Sequence, residues 1–483
     1  MENEPLEANY HKKELTLWLF LYTIVIPTVI SSAIVLEYID QLSGNNHLAQ
    51  ALDSKYPEVA LASSTGPILY DHHMKAEVIF KGLRYPTSMT FLGPNDILAV
   101  EKDKGTVKRI VNGTMLPQPL LDVNVATYGH RGILGIAVDS TLLKNESINR
   151  NNITGNDLTH VFVYYTEAQT EDGEDITTGK QRLGNRLYRY DLINNTLVNT
   201  KLLLDLPATP GAIGIGGKVI VGPDNNVYVT IGDVGIDGHN TKAQNIEDGS
   251  DPDGTSGILR ITKDGKSIFP GILGNKFLLN LYYAYGIWNS FGIDFDPVSG
   301  NLWDTENGLT FGDEINLVEP GFNSGYNKID GLWLRGYPID QTEKHIAPFH
   351  PHDLVYFGGK GAYHLPQFAW FRSVGPTGLA FFNSNKMGPQ FKNDLFVGDI
   401  LNGNIYDFKL NQNRSEFLLP AGPLEDRIVN SSDTLNGIIF GRNFGGITDV
   451  KVSSYDGYIY VLTFDGTIYR IVPTGIGKEL SKR

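Results

Sequence analysis

There is no cysteine anywhere in this chain of 483 residues. That excludes disulfides, thiolate nucleophiles and thiolate metal sites together, and it leaves the compartment open, because an exported protein need not carry disulfides. Positive charge is scarce as well: 40 Lys and Arg stand against 54 Asp and Glu, a formal net charge of −14. Such a surface repels backbone phosphates, so a nucleic-acid partner is not expected. Helical periodicity is nearly absent after residue 75, which points to an all-β body. Long apolar runs are lacking too, with one exception. Residues 15–36 (LTLWLFLYTIVIPTVISSAIVL) contain no charge, and about 20 apolar residues suffice to cross a bilayer core.

Lys12 and Lys13 precede this run, and Glu37 and Asp40 follow it. The positive-inside rule therefore places a cytoplasmic tail at 1–14, a single transmembrane helix at 15–36 and the rest of the chain on the extracytoplasmic side of the membrane. Pro27 is tolerated within a membrane helix. A cleaved signal peptide, with Ser31-Ser32-Ala33 as its small residues, is the competing reading and would make the protein secreted; its apolar region is longer than the usual ~7–15 residues. Six N-x-S/T sequons, at Asn112, Asn145, Asn152, Asn194, Asn413 and Asn430, are compatible with a glycoprotein. Residues 37–75 are polar and mixed and read as a tether, with a short helix around 47–52.

From Leu83 onward one pattern recurs: an apolar strand, a Pro/Asp/Asn/Gly turn, a more apolar strand, then a strand with aromatic and basic residues. Copies begin near residues 86, 132, 216, 292, 376 and 447. Each is a small antiparallel sheet with an apolar face it cannot bury alone, so the copies must stack around an axis. The expected fold is an all-β, six-bladed β-propeller spanning 76–475, with a short tail at 476–483 and ligands at one mouth of the central channel. Two insertions stand out. Residues 167–180 (EAQTEDGEDITTGK) read as a solvated acidic excursion. Residues 327–374 carry His345, His350, His352 and His364, of which His350 and His352 form either a metal pair or part of a surface rim.

The most informative stretch is 284–327. Its alternation and its Pro297–Gly300 turn describe a hairpin. Beyond it Glu306, Asn307, Asp313, Glu314 and Asn316 crowd oxygen ligands into what reads as one short loop. Hard oxygens suit calcium; a polar turn solvating a strand end is the plain alternative.

The same stretch (YGIWNSFGIDFDP, WDTENG, DEINLV, FNSGYN) resembles the glucose/sorbosone dehydrogenase family, the soluble quinoprotein sugar dehydrogenases, and the resemblance runs from about Leu83 to Val472. It implies a propeller, pyrroloquinoline quinone (PQQ) and calcium as cofactors, and a sugar or glycan as partner, with hydride passing from a sugar C–OH to the quinone. Carried over residue by residue, it makes Asp233 the carboxylate that orients the base and Asn289 a retained neighbour of the substrate. His130, Arg131 and Lys218 fall at motif positions beside the quinone. Gly308 and Leu309 supply carbonyls to one calcium, and Glu314 with Ser324 to a second.

The chain departs from the family at four places. Gly214 stands where the family has its base His, and a glycine abstracts no proton; His239 is a candidate substitute. Trp288 replaces the substrate-side Arg, Leu401 a Lys, and Gly446 and Thr448 a pair of Arg. The quinone carries three carboxylates, so these losses leave its charge poorly compensated. Three functions follow as hypotheses: a membrane-anchored sugar or polyol dehydrogenase with rearranged catalytic residues; a calcium-stabilised, catalytically inactive propeller that binds a glycan or partner protein; and a calcium-dependent lactonase. The last needs a ring of carboxylates spread across the blades, which the sequence does not offer.

Overall fold

The computed structural model describes residues 59–60, 66–139, 159–175, 183–235, 239–309, 311–334, 353–430, 435 and 437–474. The expected membrane helix and His345, His350 and His352 lie outside these residues. No helix among the described residues is long and apolar enough to cross a membrane.

The chain is built from hairpins whose turns follow from local sequence. Asn112-Gly113 joins Thr106–Val111 to Thr114–Met115 with both residues at positive φ. Asn194-Asn195 does the same between Gly184–Ile193 and Thr196–Pro207. Such turns match the twist of paired strands and favour Asn and Gly. The hairpins assemble into six sheets of four to six strands, beside one two-stranded ribbon, Ile329–Asp330 with Trp333–Leu334.

The first strands of the six sheets are Pro86–Gly93, Ile133–Val138, Val219–Val221, Ser290–Phe295, Pro376–Phe381 and Ile447–Val452. Each lies against the next, and the last lies against the first, so the ring is closed. Every seam between neighbouring sheets holds its own apolar cluster. Leu98 and Val163 sit between sheets one and two, and Phe162 and Val229 between two and three. Ile258 and Leu302 fill the next seam, then Trp303 and Val397, Phe396 and Val461, and finally Tyr460 with Ile97. This is an all-β propeller.

The sixth sheet takes its outermost strand from the other end of the chain. Met74–Lys81 pairs antiparallel with Thr467–Pro473, and Ile68–Leu69 adds to the outer edge of sheet five beside Ile439–Arg442. The tether expected over 37–75 therefore ends earlier: residues 68–69 and 74–75 already belong to sheets. Their partners are hundreds of residues away, and no local periodicity reports such pairing.

Candidate functional site

Two kinds of connection meet on one face of a propeller: those from an outermost strand to the next sheet, and those between second and third strands. Here that face gathers the described residues 123–132, 208–218, 232–235, 239–256, 286–289, 307–309, 373–375, 400–404 and 443–446. Gly214, Asp233, His239, His130, Arg131, Lys218, Trp288, Asn289, Gly308, Leu309, Leu401 and Gly446 lie on these loops, whereas Glu314 and Asn316 lie within the strand Phe311–Val318 and Ser324 follows Phe322–Asn323.

The position of the missing base is occupied by backbone and by a tryptophan. Gly214 has φ +66°, and a Cβ there would stand 3.2 Å from Cζ3 of Trp288. The Trp288 ring is buried and tilts against Tyr326 at 5.5 Å, so it is packed into the wall and does not offer a free face. Asp233 is fully buried and accepts from the hydroxyl of Tyr326 at 2.9 Å and from the Gln244 amide. The carboxylate expected to orient a base is held by these two groups. His239, the candidate substitute, lies on the same loop with Nδ1 on Asp253 at 2.5 Å and Nε2 on the Thr209 carbonyl at 2.7 Å. Both of its nitrogens are committed, which corrects that expectation.

His130 is different. It is exposed to solvent, and its Nδ1 accepts the amide of Gly214 at 3.3 Å, so the imidazole sits beside the residue that lacks a side chain. With Nδ1 accepting that amide, a neutral ring carries its proton on Nε2, so toward the mouth it is a hydrogen-bond donor and not a base.

Arg131 and Lys218 do not reach the mouth as cations. Arg131 is buried, with Nη1 on Asp175 at 2.9 Å and Nη2 on the carbonyls of Ala208 and Gly211. Asp175 and Asp172 also accept backbone amides of residues 125, 127 and 128. The described part of the acidic insertion, exposed at 170–173, is thus tied by Asp172 and Asp175 to the segment that carries His130. Lys218 is buried in an ion pair with Asp449, which also accepts from Ser88 and Met89; burial depresses the ammonium to about 8.

Asn289 acts as a clasp. Its Oδ1 accepts the Gly216 amide at 3.0 Å, its Nδ2 donates to Asn307, and Asn307 reaches the Pro376 carbonyl at 2.8 Å. Three sheets are tied together at the mouth by these two amides.

The oxygen-rich stretch is not a loop. Asp304 and Glu306 lie in Leu302–Glu306, and Asp313, Glu314 and Asn316 in the paired strand Phe311–Val318. Asp304 opposes Asn316 and Glu306 opposes Glu314. Asp313 points the other way, accepting amides from residues 308, 374 and 375, and so fastens two mouth loops. Glu306 accepts the Trp288 amide and the Ser324 hydroxyl, both at 2.6 Å, which brings Glu314 and Ser324 to the same place. Burial, then Glu306, Asp304 and Asp330, push the Glu314 carboxyl well above its usual range. Among the described residues no three His, Cys, Asp or Glu side chains form a ready metal cage, so a cation here needs amide, hydroxyl or carbonyl oxygens as well, as calcium commonly takes. The buried acids fit such an ion. Gly308 and Leu309 are half-buried on the turn 307–310; a Cβ at Gly308 would overlap the Phe311 carbonyl at 1.8 Å, so only glycine makes that turn. His364 meets only Glu319, at 3.6 Å on the surface.

Nothing in the local sequence singles out Ala60. Its amide donates to the Ile400 carbonyl at 3.0 Å, and its carbonyl accepts the Gly446 amide at 2.7 Å. It bridges sheets five and six beside Leu401 and Gly446, two positions where the resemblance expects cations. Thr448 is buried and donates to the Leu462 carbonyl. The residues at these positions do not fit an anionic quinone held as the resemblance implies, and no step is drawn through it.

The pattern of the glucose/sorbosone dehydrogenase family matches residues 83–470. The chain belongs to that family. A glucose/sorbosone dehydrogenase-type relative, the aldose sugar dehydrogenase of Escherichia coli, is 23% identical over 409 residues, covering 83% of this chain and 93% of that protein. Quinoprotein glucose dehydrogenase B of Acinetobacter calcoaceticus is 25% identical over 306 residues, 58% of this chain and 57% of that one. Among solved structures, the apo soluble aldose sugar dehydrogenase from Escherichia coli superposes with a TM-score of 0.60 at 19% identity, covering 83% and 99% of the two chains. The PQQ-bound aldose sugar dehydrogenase from Streptomyces coelicolor gives 0.56 at 19% identity, covering 84% and 99%. These likenesses establish the propeller of the family.

Proposed function

We propose that the chain is a sugar-directed oxidoreductase of the glucose/sorbosone dehydrogenase family: a six-bladed propeller held on the extracytoplasmic side of the membrane by residues 15–36, with calcium beneath its mouth. The observation that carries this reading is the family match, which runs from sheet one through sheet six and includes the loops of the mouth. The resemblance puts Asp233 and Asn289 at family positions, and His130 lies beside the vacated base position.

A second reading has a specific observation in its favour. Gly214 offers no base, Trp288 is packed away, and Ala60 bridges the side where cations are expected. A mouth of that kind suits a glycan or a partner protein bound without redox chemistry.

The deciding experiment mixes the detergent-solubilised full chain, in calcium, with pyrroloquinoline quinone and follows both quinone absorbance and sugar-dependent reduction of a dye. Saturable binding with sugar-dependent turnover would support the oxidoreductase and call for a quinone seat other than the one the resemblance implies. No binding at high micromolar quinone would remove the oxidoreductase reading and leave the binding propeller.

A further inference from the structure

Turns between the first and second strands of a sheet, and between the third and fourth, lie on the face of the propeller away from the mouth. Asn112 is in the third-to-fourth turn of sheet one and Asn194 in that of sheet two. Asn413 is at the tip of a hairpin that continues the third strand of sheet five, Ile405–Phe408. There Leu410 bridges Phe417, and the Arg414 amide donates to the Asn411 carbonyl at 3.0 Å to close the turn. Two arginines tie these turns to others on the same face. Arg109 binds Asp96, at the first turn of sheet one, and also Asn195. Arg414 clasps Asp296, at the first turn of sheet four, with Nε at 2.9 Å and Nη2 at 2.8 Å.

Each of these three asparagines is followed two residues later by a hydroxyl, Thr114, Thr196 and Ser415, which completes an N-x-S/T acceptor. All three are exposed, and among the described residues none of their side-chain amides has a hydrogen-bond partner. Their neighbours in the same turns differ. Asn195 is held by Arg109, and Asn411 accepts the Ser415 amide at 3.0 Å. An amide that anchors a turn cannot carry a bulky substituent into solvent without giving up its bonds, whereas a free amide at a turn tip can. The turns therefore divide the work: one asparagine fixes the backbone, and the one in the acceptor position is left unengaged.

We propose that Asn112, Asn194 and Asn413 are N-glycosylated and that their sugars cloak the face opposite the mouth. The donor is an oligosaccharide on a polyprenyl diphosphate. Nδ2 of the asparagine bonds to C1 of the first sugar and gives up a proton, the C1–O bond to the diphosphate breaks, and the polyprenyl diphosphate leaves. The assignment rests on the extracytoplasmic placement proposed above, since the modification belongs to exported surfaces. No asparagine on the described segments of the mouth has Ser or Thr two residues on, so the same transfer leaves the mouth bare. Asn145, Asn152 and the Ser432 that follows Asn430 lie outside the described residues. Bulky, hydrated sugars on three turns of one face block protein contacts there and direct any partner to the mouth or the outer edges.

The test reads the sugars and the side of the membrane separately. Peptides of the full chain, purified in detergent from its own cells, are examined by mass spectrometry. The full chain is also translated with rough microsomes, and protease is added outside them. The expected results are sugar mass on the peptides that hold Asn112, Asn194 and Asn413, and a propeller protected by the microsomes. Thr114→Ala, Thr196→Ala and Ser415→Ala are each expected to lose one glycan step on a gel. These variants leave the asparagines in place, two of them at positive φ, so the turns keep their geometry. Thr114→Ser, which retains the hydroxyl, is expected to keep the step that Thr114→Ala loses. Three unmodified asparagines in a protected propeller would overturn the proposal and leave the placement standing. A propeller digested from outside the microsomes, with the three asparagines unmodified, would overturn both.

Discussion

Gly214 and Trp288 are one device written at two positions. The glycine has φ +66° and the indole fills the space its side chain would need, so neither change is neutral alone. Gly214→Ala is expected to cost about 1–3 kcal/mol, part backbone strain and part contact with the ring. In a Trp288→Ala background the contact part disappears and only the backbone part, roughly 1 kcal/mol, remains. A double-mutant cycle by urea unfolding measures the difference, and strict additivity would refute the coupling. Asp399 supplies a second residue-level test. It is fully buried and accepts from the Tyr406 hydroxyl at 2.7 Å, and burial raises its pKa from 3.8 to about 6. Below about pH 3.8 the carboxyl is protonated in both folded and unfolded chains. As the pH rises toward 6 the unfolded chain gives up its proton first, so the folded state loses on the order of 3 kcal/mol from this group. Asp399→Asn is expected to lack that loss: its stability relative to the wild type should rise between pH 4 and pH 8, as read by denaturant titration at the two values.

Strands legible in their own sequence, an alternating one such as Ser290–Phe295 or an apolar run such as Ile459–Thr463, could be placed before any coordinates, because alternation, apolar runs and turn residues are local properties. Met74–Lys81 could not, since what makes it a strand is Thr467–Pro473. The same division runs through the site. Glu306, Glu314 and Asn316 stood out by residue type, but their membership of two paired strands depends on register that composition does not carry. Tyr326 was missed because its bond to Asp233 spans 93 residues. The first and last strands of the sixth sheet also make a test at this scale. A chain lacking residues 1–65 keeps Met74–Lys81 and is expected to stay β-rich and free of aggregation. A chain lacking 1–82 leaves Thr467–Pro473 as a long unpaired edge, which invites aggregation. Size-exclusion chromatography and circular dichroism separate the two outcomes, and a soluble monomer from the shorter chain would show that the closing strand is dispensable.

At the scale of the whole molecule the architecture was legible because six similar segments each need a neighbour to cover an apolar face, and a closed ring is the arrangement in which all six have two. The mouth was legible only in outline. Its motif positions could be numbered, but whether Arg131 or Lys218 faces the channel is decided by Asp175 and Asp449, residues that lie far off in sequence. Closure has a further consequence, in time. Glu77 and Arg470, which meet across the sixth sheet, are 393 residues apart. At about 5–20 residues per second of synthesis, the early strand waits roughly 20–80 s for its partner to be made. Through that interval the growing chain carries an open sheet edge, and the ring can lock only after almost the entire protein has left the ribosome.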